Sequence, residues 1–369
     1  MSDDTPCTPQ RFPIVQSWAE DETLYSWCCR WHRLTMNRTR SSGNALFGVP
    51  SAAKVWISPN PFGHFSLVTR GCLGNPLSIL QERTILGSFF PFARPEDRRR
   101  VEAGEMPPSL LVSAKSGIAH SLRYCSKCAS RQESSMGIAL WRMCHQLPGV
   151  VVCAEHGRPL VEHLGKRQLW SLPGTEESRE IDVDSKAEFE ALRSVSQAAR
   201  RIFESAAFDL ELLQAKARLV ACEGYGVLDV KRLNPRVVQS DWQSSTQARW
   251  CQRVQPEQVA FPDLWLTDVL RSRRSERNPM RWAFLAAYFQ ERGWSRIDAF
   301  FTQERNPFDN QLSLWTQMGT IPLTILDAFA RAKNSRQVGE LLGVNGSTVR
   351  HWVRTHRELA VASQHWEWR

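Results

Sequence analysis

Tyr124-Cys125-Ser126-Lys127-Cys128, answered further along by Val152-Cys153-Ala154-Glu155-His156, is the stretch on which the reading of this chain turns. A two-residue gap between Cys125 and Cys128 forms a tight turn that brings both sulfurs within reach of one ion at about 2.3 Å. Cys153-Ala-Glu-His156 repeats the arrangement with an imidazole in the last place. Together the four donors make the Cys3His set that structural zinc prefers, with no position left open for a reacting water. Cys144, His145 and His163 lie in the same section, and His163 is the alternative to His156, which the spacing favours. Beyond His156, Cys222 and Cys251 stand alone, so the expectation is one structural zinc ion on Cys125, Cys128, Cys153 and His156. A segment this short buries little apolar surface and draws its stability from the metal. The run Val150-Val151-Val152 reads as a short β-strand leading into the second ligand pair.

Outward from this section the pattern is helical. Leu24, Trp27, Cys28, Trp31 and Leu34 recur at steps of three and four, an amphipathic helix whose preceding acids Asp21 and Glu22 complement its dipole. Gly, Pro, Ser and Asn break residues 41–75 into loops and short elements. The apolar segment Leu77 to Phe92 ends at Pro91 and Pro95 and runs into Arg98, Arg99 and Arg100, which read as a solvated face. PGTEESREIDVDS reads as an exposed linker, and Phe189, Leu192, Val195, Ala198 and Ile202 as the next helix. No β-rich block and no internal repeat is seen. The predicted fold is mainly α, a multi-domain helical protein with a small β-containing zinc module and helix-turn-helix elements. Its expected parts are an N-terminal helical domain at 1–115, the zinc module at 116–170, a linker at 171–185, a helical middle domain at 186–275 and a C-terminal helical domain at 276–369.

The chain has 369 residues, a formal net charge of +9 and ten cysteines. An excess of Lys and Arg favours an anionic partner, because it releases counterions from a phosphate backbone. No stretch approaches the roughly eighteen apolar residues of a membrane span, and MSDDTPCTPQ is unlike a signal peptide. The expected location is therefore the cytoplasm, in association with the nucleoid and without membrane contact, where cysteines serve as core residues or metal ligands rather than disulfides.

Tyr124-Cys-Ser-Lys-Cys128, Trp141-Arg142, His145-Gln-Leu-Pro-Gly149 and Val152-Cys153-Ala-Glu-His156-Gly-Arg-Pro-Leu160 together resemble the zinc-finger core of the TniQ/TnsD proteins, target selectors of certain bacterial transposons. Asp21-Glu22-Thr23-Leu24-Tyr25-Ser26-Trp27 with Arg30 is similar to the N-terminal signature of that family, and Asn278-Pro279-Met280-Arg281-Trp282 to a helix of its longer, TnsD-like members. The resemblance implies a non-enzymatic adaptor that recognises a target site and recruits the AAA+ transposition ATPase (TnsC-like), which in turn brings the transposase. Many relatives carry a second cysteine-rich cluster after the His-Gly-x-Pro-Leu run, where this chain has Val161-Glu-His-Leu-Gly165; a second ion is not expected.

Residues 321–356 read, independently of the family, as three short helices. Ile325 and Phe329 lie in the first, Val338, Leu341 and Leu342 on the inner face of the second, and Val349, Trp352 and Val353 on that of the third, with Gly343 as the turn and Ser347 as a cap. This is the helix-turn-helix layout, whose last helix enters the major groove. Its outward residues are Asn345, Ser347, Thr348, Arg350, His351 and Arg354, types suited to guanine, adenine and phosphate contacts. Upstream, Arg271, Arg273, Arg274, Arg277 and Arg281 suit phosphates.

These features favour a target-site selector that binds double-stranded DNA directly, with Trp27, Arg30 and Trp31 offered to the ATPase. Two other readings use the same modules: a TniQ adaptor that couples a CRISPR guide-RNA effector complex to transposition, and a zinc-containing transcription regulator. The chain lacks a Gly-x4-Gly-Lys-Ser/Thr phosphate loop, and its four ligands close the metal, so no enzymatic activity is expected.

Overall fold

The computed structural model of the protein describes residues 16–36, 38–49, 62–103, 107, 109–110, 121–164, 170–227, 233–254, 261, 264–271, 276–302, 323–342, 349–350, 352–353 and 357–366. The fold is mainly helical, and the chain divides after residue 303 into two compact units.

The first unit begins with helix α1 (Leu24–Thr35). Thr23 caps it by accepting from the Ser26 amide at 3.0 Å, and Met36 ends it in the left-handed conformation. Asp21 and Glu22 precede the cap instead of lying in the first turn, so their charges are spent on arginines, as described below, and not on the helix dipole. Short helices follow: α2 (Thr39–Phe47), α3 (Phe62–Val68), α4 (Pro76–Arg83) and α5 (Pro95–Glu102), with 3-10 turns at Ile85–Ser88 and Phe90–Phe92 before α5. Prolines in the first turns of α4 and α5 explain why one apolar run becomes several pieces, since Pro starts a helix but cannot continue one.

A three-stranded antiparallel sheet, β1 (Arg123–Tyr124), β2 (Val161–His163) and β3 (Ser178–Glu180) in that order, frames the cysteine section together with α6 (Ser126–Met136) and α7 (Met143–Gln146). Two expectations are corrected here. Val150-Val151-Val152 is not a strand: Val152 makes a single bridge with Pro159, and the run is apolar because all three side chains are buried in a turn-rich core. The 171–185 stretch is not a free linker, since its exposed residues 178–180 form the third strand on β2, with Arg179 opposite Glu162.

The rest of the unit is α8 (Lys186–Phe203), α9 (Leu210–Gly224), α10 (Pro235–Gln243), α11 (Thr246–Val254), α12 (Trp265–Arg271), α13 (Pro279–Glu291) and α14 (Ile297–Phe301). Ser185 and Glu188 cap α8 reciprocally: the Glu188 amide donates to Ser185 at 3.1 Å, and the Asp184 amide donates to the Glu188 carboxylate at 3.0 Å. Helix α13 is buried from Pro279 to Phe289 on nearly every face and packs along α8, whose Ala191, Leu192, Val195, Ala198 and Ile202 are buried. Gly149, at φ +81°, sets the Leu147–Gly149 turn against both helices: a Cβ there would lie 2.9 Å from Phe284 and 3.4 Å from Val195. One apolar cluster runs from Leu24 to Phe301. The parts expected on either side of 115, 170 and 275 contribute side chains to this same cluster.

The second unit contains α15 (Leu323–Arg331), α16 (Ser335–Leu342), helical residues at 349–350 and 352–353, and α17 (Arg357–Ala362). Ile325, Phe329, Val338, Val349, Trp352, Leu359 and Trp366 form its own apolar cluster. Trp366 stacks on Phe329 with ring centroids 5.0 Å apart and donates to its carbonyl oxygen. Leu341, expected on the inner face, is 61% exposed; Leu342 takes that place. Gly343, Val344 and Ser347 lie outside the described residues. Among the described residues, no helix is long and apolar enough to cross a membrane.

Candidate metal centre

Cys125 follows β1 directly and is the N-cap of α6, so the strand leads its backbone in while the first helical turn carries Cys128 round to the same side. Cys153 follows the buried valines, and a turn of residues 154–156 returns His156 towards it, closed by the Gly157 amide on the Cys153 carbonyl at 2.8 Å. The second pair is held onto the core from behind, where Ser196 of α8 donates to the Val152 carbonyl at 2.8 Å.

All four donor atoms lie within 4.8 Å of one another. Cys128 Sγ is 3.9 Å from Cys153 Sγ, and His156 Nδ1 lies 3.6, 3.2 and 3.7 Å from the sulfurs of Cys125, Cys128 and Cys153. Ligands at about 2.3 Å (sulfur) and about 2.0 Å (nitrogen) around a tetrahedral ion stand about 3.5–3.8 Å apart along its edges, so the cluster has the geometry to hold one metal ion. The cysteines are buried and His156 is half-buried. Hydrogen bonds from the Cys128 and Cys153 thiols hold the Cys125 thiol far below its ordinary range, while the same contacts with Cys125 raise the thiols of Cys128 and Cys153, so the three sulfurs share one negative charge unless a cation joins them.

The surrounding charges were not legible from the ligand spacing. Arg142 points its guanidinium at the cluster: Nη1 donates to Cys128 Sγ at 3.2 Å, Nη2 to Glu155 at 2.5 Å and Nε to Asp21 at 3.1 Å. Burial opposes the Arg142 charge, but Glu155, Cys144 and Asp21 outweigh it and hold the group firmly protonated. In return, the hydrogen bond from Arg142 holds the Glu155 carboxyl down at about 2. The bond to Cys128 offsets thiolate charge, the same service a second hydrogen bond renders to ligands of metal sites generally. Asp21 also accepts from the Cys144 amide and gives its carbonyl to the Met143 amide at 2.7 Å. The Thr23 amide donates to the Trp141 carbonyl, and the Trp141 amide to Ser26 Oγ. The start of α1 is thus stitched to the residues that carry Arg142.

Arg123 is buried beside this region and donates to the carbonyls of Val150, Gln146 and Leu147, tying β1 to the valine turn. His145 is almost wholly buried, and burial, reinforced by Arg142, lowers its pKa to about 3. His163, the alternative ligand, turns elsewhere: its Nε2 meets Ser171 Oγ at 3.0 Å and its ring lies edge-on to Trp141.

The residues expected to face a partner are placed differently. Trp27 and Trp31 are 1% and 4% exposed. Trp27 packs edge-on against Phe65 and donates to the Gln16 carbonyl. Arg30 spans the half-buried edge of α1, where it meets the fully buried Glu22 at 2.6 Å and donates to Gln16 and Ser17. These three side chains are core and its ion-paired rim, not a free contact surface; helical spacing of aromatic residues reports packing here. Of the residues expected to contact DNA, Arg350 is exposed on a helical stretch, and Arg277 is half-buried with Nη1 on the Phe92 carbonyl. Asn345, Ser347, Thr348, His351, Arg354, Arg273 and Arg274 lie outside the described residues.

Residues 13–160 match the family model described as TniQ, a span that holds α1 to α7 and all four metal-ligating residues. No curated protein matches the chain. Residues 13–160 are therefore similar to the TniQ family, in agreement with the resemblance read from the motifs, and the match ends before the rest of the chain.

Proposed function

We propose that the protein is a non-enzymatic target-site selector of a bacterial transposon, which binds double-stranded target DNA sequence-specifically and recruits the AAA+ transposition ATPase. The observation that carries this reading is the coincidence of the TniQ match with a closed Cys3His cluster in its C-terminal part. The donor set is that of a structural zinc ion: three thiolates and one imidazole saturate a tetrahedral ion, so the metal shapes the region and has no position for substrate. Zinc supplies cross-linking of β1, α6 and the 153–156 turn; Arg142, Glu155 and Asp21 carry that constraint to the start of α1.

DNA selection falls to the second unit. Its α15 and α16 and the helical residues 349–350 and 352–353 surround one apolar cluster, with Arg350 exposed, an arrangement that suits a helix-turn-helix. Asn345, Ser347, Thr348, His351 and Arg354 complete the reading face by their sequence positions, and Arg273, Arg274 and Arg277 supply phosphate contacts from the first unit.

Genome-wide footprinting of the protein, with and without a CRISPR effector, tests the proposal. Direct occupancy of one site without a guide is the expected result; occupancy only with the guide would assign the protein to guide-dependent adaptors. Pull-down on DNA bearing the occupied site recovers the ATPase if the recruiting role is right, and recovery of none would leave a transcription regulator.

A further inference from the structure

Two basic stretches that the sequence keeps far apart meet on the first unit. Arg98, in α5, donates through Nη2 to the Pro91 carbonyl at 2.7 Å and lies over the Phe90 ring. Arg277, just before α13, donates through Nη1 to the carbonyl of the next residue, Phe92. Adjacent carbonyls of one 3-10 turn therefore hold the two guanidiniums side by side. Arg94 caps α5 with its backbone alone and is exposed, as is Arg99. The local acids offset the group only in part: Glu96 reaches Arg94 at 4.0 Å, Asp97 is engaged by Ser109 Oγ at 2.8 Å, and the pull of Glu102 on Arg98 and of Asp97 and Glu96 on Arg277 does not reverse the net lowering of either arginine. The crowding is felt electrostatically. Burial and then the Arg277 charge pull Arg98 below the usual guanidinium range, and burial and then Arg94 do the same to Arg277.

Like charges held together by the fold, at the surface and with their bases anchored to backbone carbonyls, are stabilised by an external anion. Planar guanidiniums in a row suit phosphate oxygens, which they contact as forks. We infer that Arg94, Arg98, Arg99 and Arg277 form one contact surface for the phosphodiester backbone of double-stranded DNA. This inference rests on the DNA-binding reading above and extends it: the arginines of α5, which the sequence presents as a solvated face, join the Arg277 segment as a sequence-independent contact on the first unit. Arg271, Arg273 and Arg274 precede Arg277 in the chain and add to the same basic stretch.

The test uses the full chain and a labelled duplex of arbitrary sequence, with affinity followed by fluorescence anisotropy across a salt series. R94Q/R99Q removes two exposed charges and leaves the anchored Arg98 and Arg277 in place, so circular dichroism and the melting temperature are expected to stay at the wild-type values. K186Q/R179Q removes two exposed charges from α8 and β3 as the control. Each phosphate contact contributes about 0.9 to the slope of log K against log salt, so R94Q/R99Q should reduce the slope by about 1–2, and the control should leave it unchanged. An R94Q/R99Q slope equal to that of the wild type, or an equal fall in the control, overturns the surface while leaving DNA binding intact. A wild-type chain that fails to bind the duplex at low salt overturns DNA binding and the surface together.

Discussion

The metal-ligand cluster and the polar knot around Asp241 do the same structural work with opposite chemistry. Each draws distant segments of the first unit to one charged centre. At Asp241 the centre is a carboxylate, and the chain neutralises it from its own stock: Tyr225 and Tyr288 donate at 2.8 and 2.7 Å, and Arg292 closes an ion pair. At the cysteines the centre is three sulfurs and an imidazole, to which the chain brings the Arg142 guanidinium and backbone amides such as that of His156. One guanidinium does not balance several thiolates, and the cluster has the geometry to take a metal ion from outside. On the proposed function, folding of this unit depends on metal at one knot and on the chain's own donors at the other.

Removing the metal is the largest expected effect. Structural zinc contributes on the order of 10 kcal/mol in small sites, comparable to the whole stability of a domain. C153S, or the wild type with a strong chelator, should therefore lose the cooperative thermal transition of the first unit, while the D241A variant keeps a cooperative transition. Melting followed by circular dichroism, with and without chelator, checks this; a chelator-indifferent transition would remove the distinction between the knots.

Next in size is R142Q, which leaves every ligand in place but withdraws the guanidinium from Cys128 and leaves Glu155 to Arg131 and Asp21 to the Cys144 amide. Metal affinity should fall about 10–100-fold, read by competition with a chromophoric chelator. Hydrogen exchange should rise across Leu24–Thr35, because Asp21 and Arg142 connect that helix to the metal. Unchanged exchange there would mean that α1 is held by its apolar face alone.

D241A should cost about 2–3 kcal/mol, since it leaves two phenols and a guanidinium without their acceptor. Y225F removes only one of the donors and should cost about 1 kcal/mol. Denaturant unfolding of holo protein at neutral pH measures both, and a Y225F loss as large as that of D241A would show that the carboxylate is not the centre of the knot.

The two knots should also fail at opposite ends of the pH scale. His145 has its pKa lowered to about 3 by burial, so the folded chain keeps it neutral while the unfolded chain takes up a proton below about 6.5. Stability from this source is complete above that value and drains as pH falls towards 3, in the direction in which protons also compete with metal for the thiolates. Tyr225 is raised to about 12, by burial first and by Asp241 against the opposing effect of Tyr288. Its contribution is complete below about 10, where the unfolded phenol titrates, and is lost as pH rises through about 12. Y225F should flatten the alkaline limb of a stability profile and leave the acid limb alone.

How far these centres were legible in the sequence follows the same contrast. The ligands of the cysteine cluster could be read directly, because two donors on one tight turn must be close in sequence. Arg142 and Asp21 could not be paired: they lie 121 residues apart, and nothing local marks either as the partner of the other. Tyr225, Asp241, Tyr288 and Arg292 were invisible for the same reason. Helices α1 and α8 declared themselves by periodicity, whereas the burial of α8 against α13 depends on two segments that meet only in the fold, which is why one core looked like several domains. The valine run misled because β-branched residues suit a buried turn as well as a strand. In Trp27 and Trp31 the pattern identified the helix face correctly, but a face rich in tryptophan belongs first to the core.

Native mass spectrometry of the full chain at neutral pH, on the wild type and on C128S, is the most direct test of the claim that an external cation organises the TniQ region. The account predicts one zinc ion per wild-type chain and none on C128S, whose wild-type counterpart meets both Arg142 and His156. A folded wild-type chain carrying no stoichiometric metal, with a charge-state distribution as compact as that of the zinc-supplemented protein, would contradict it.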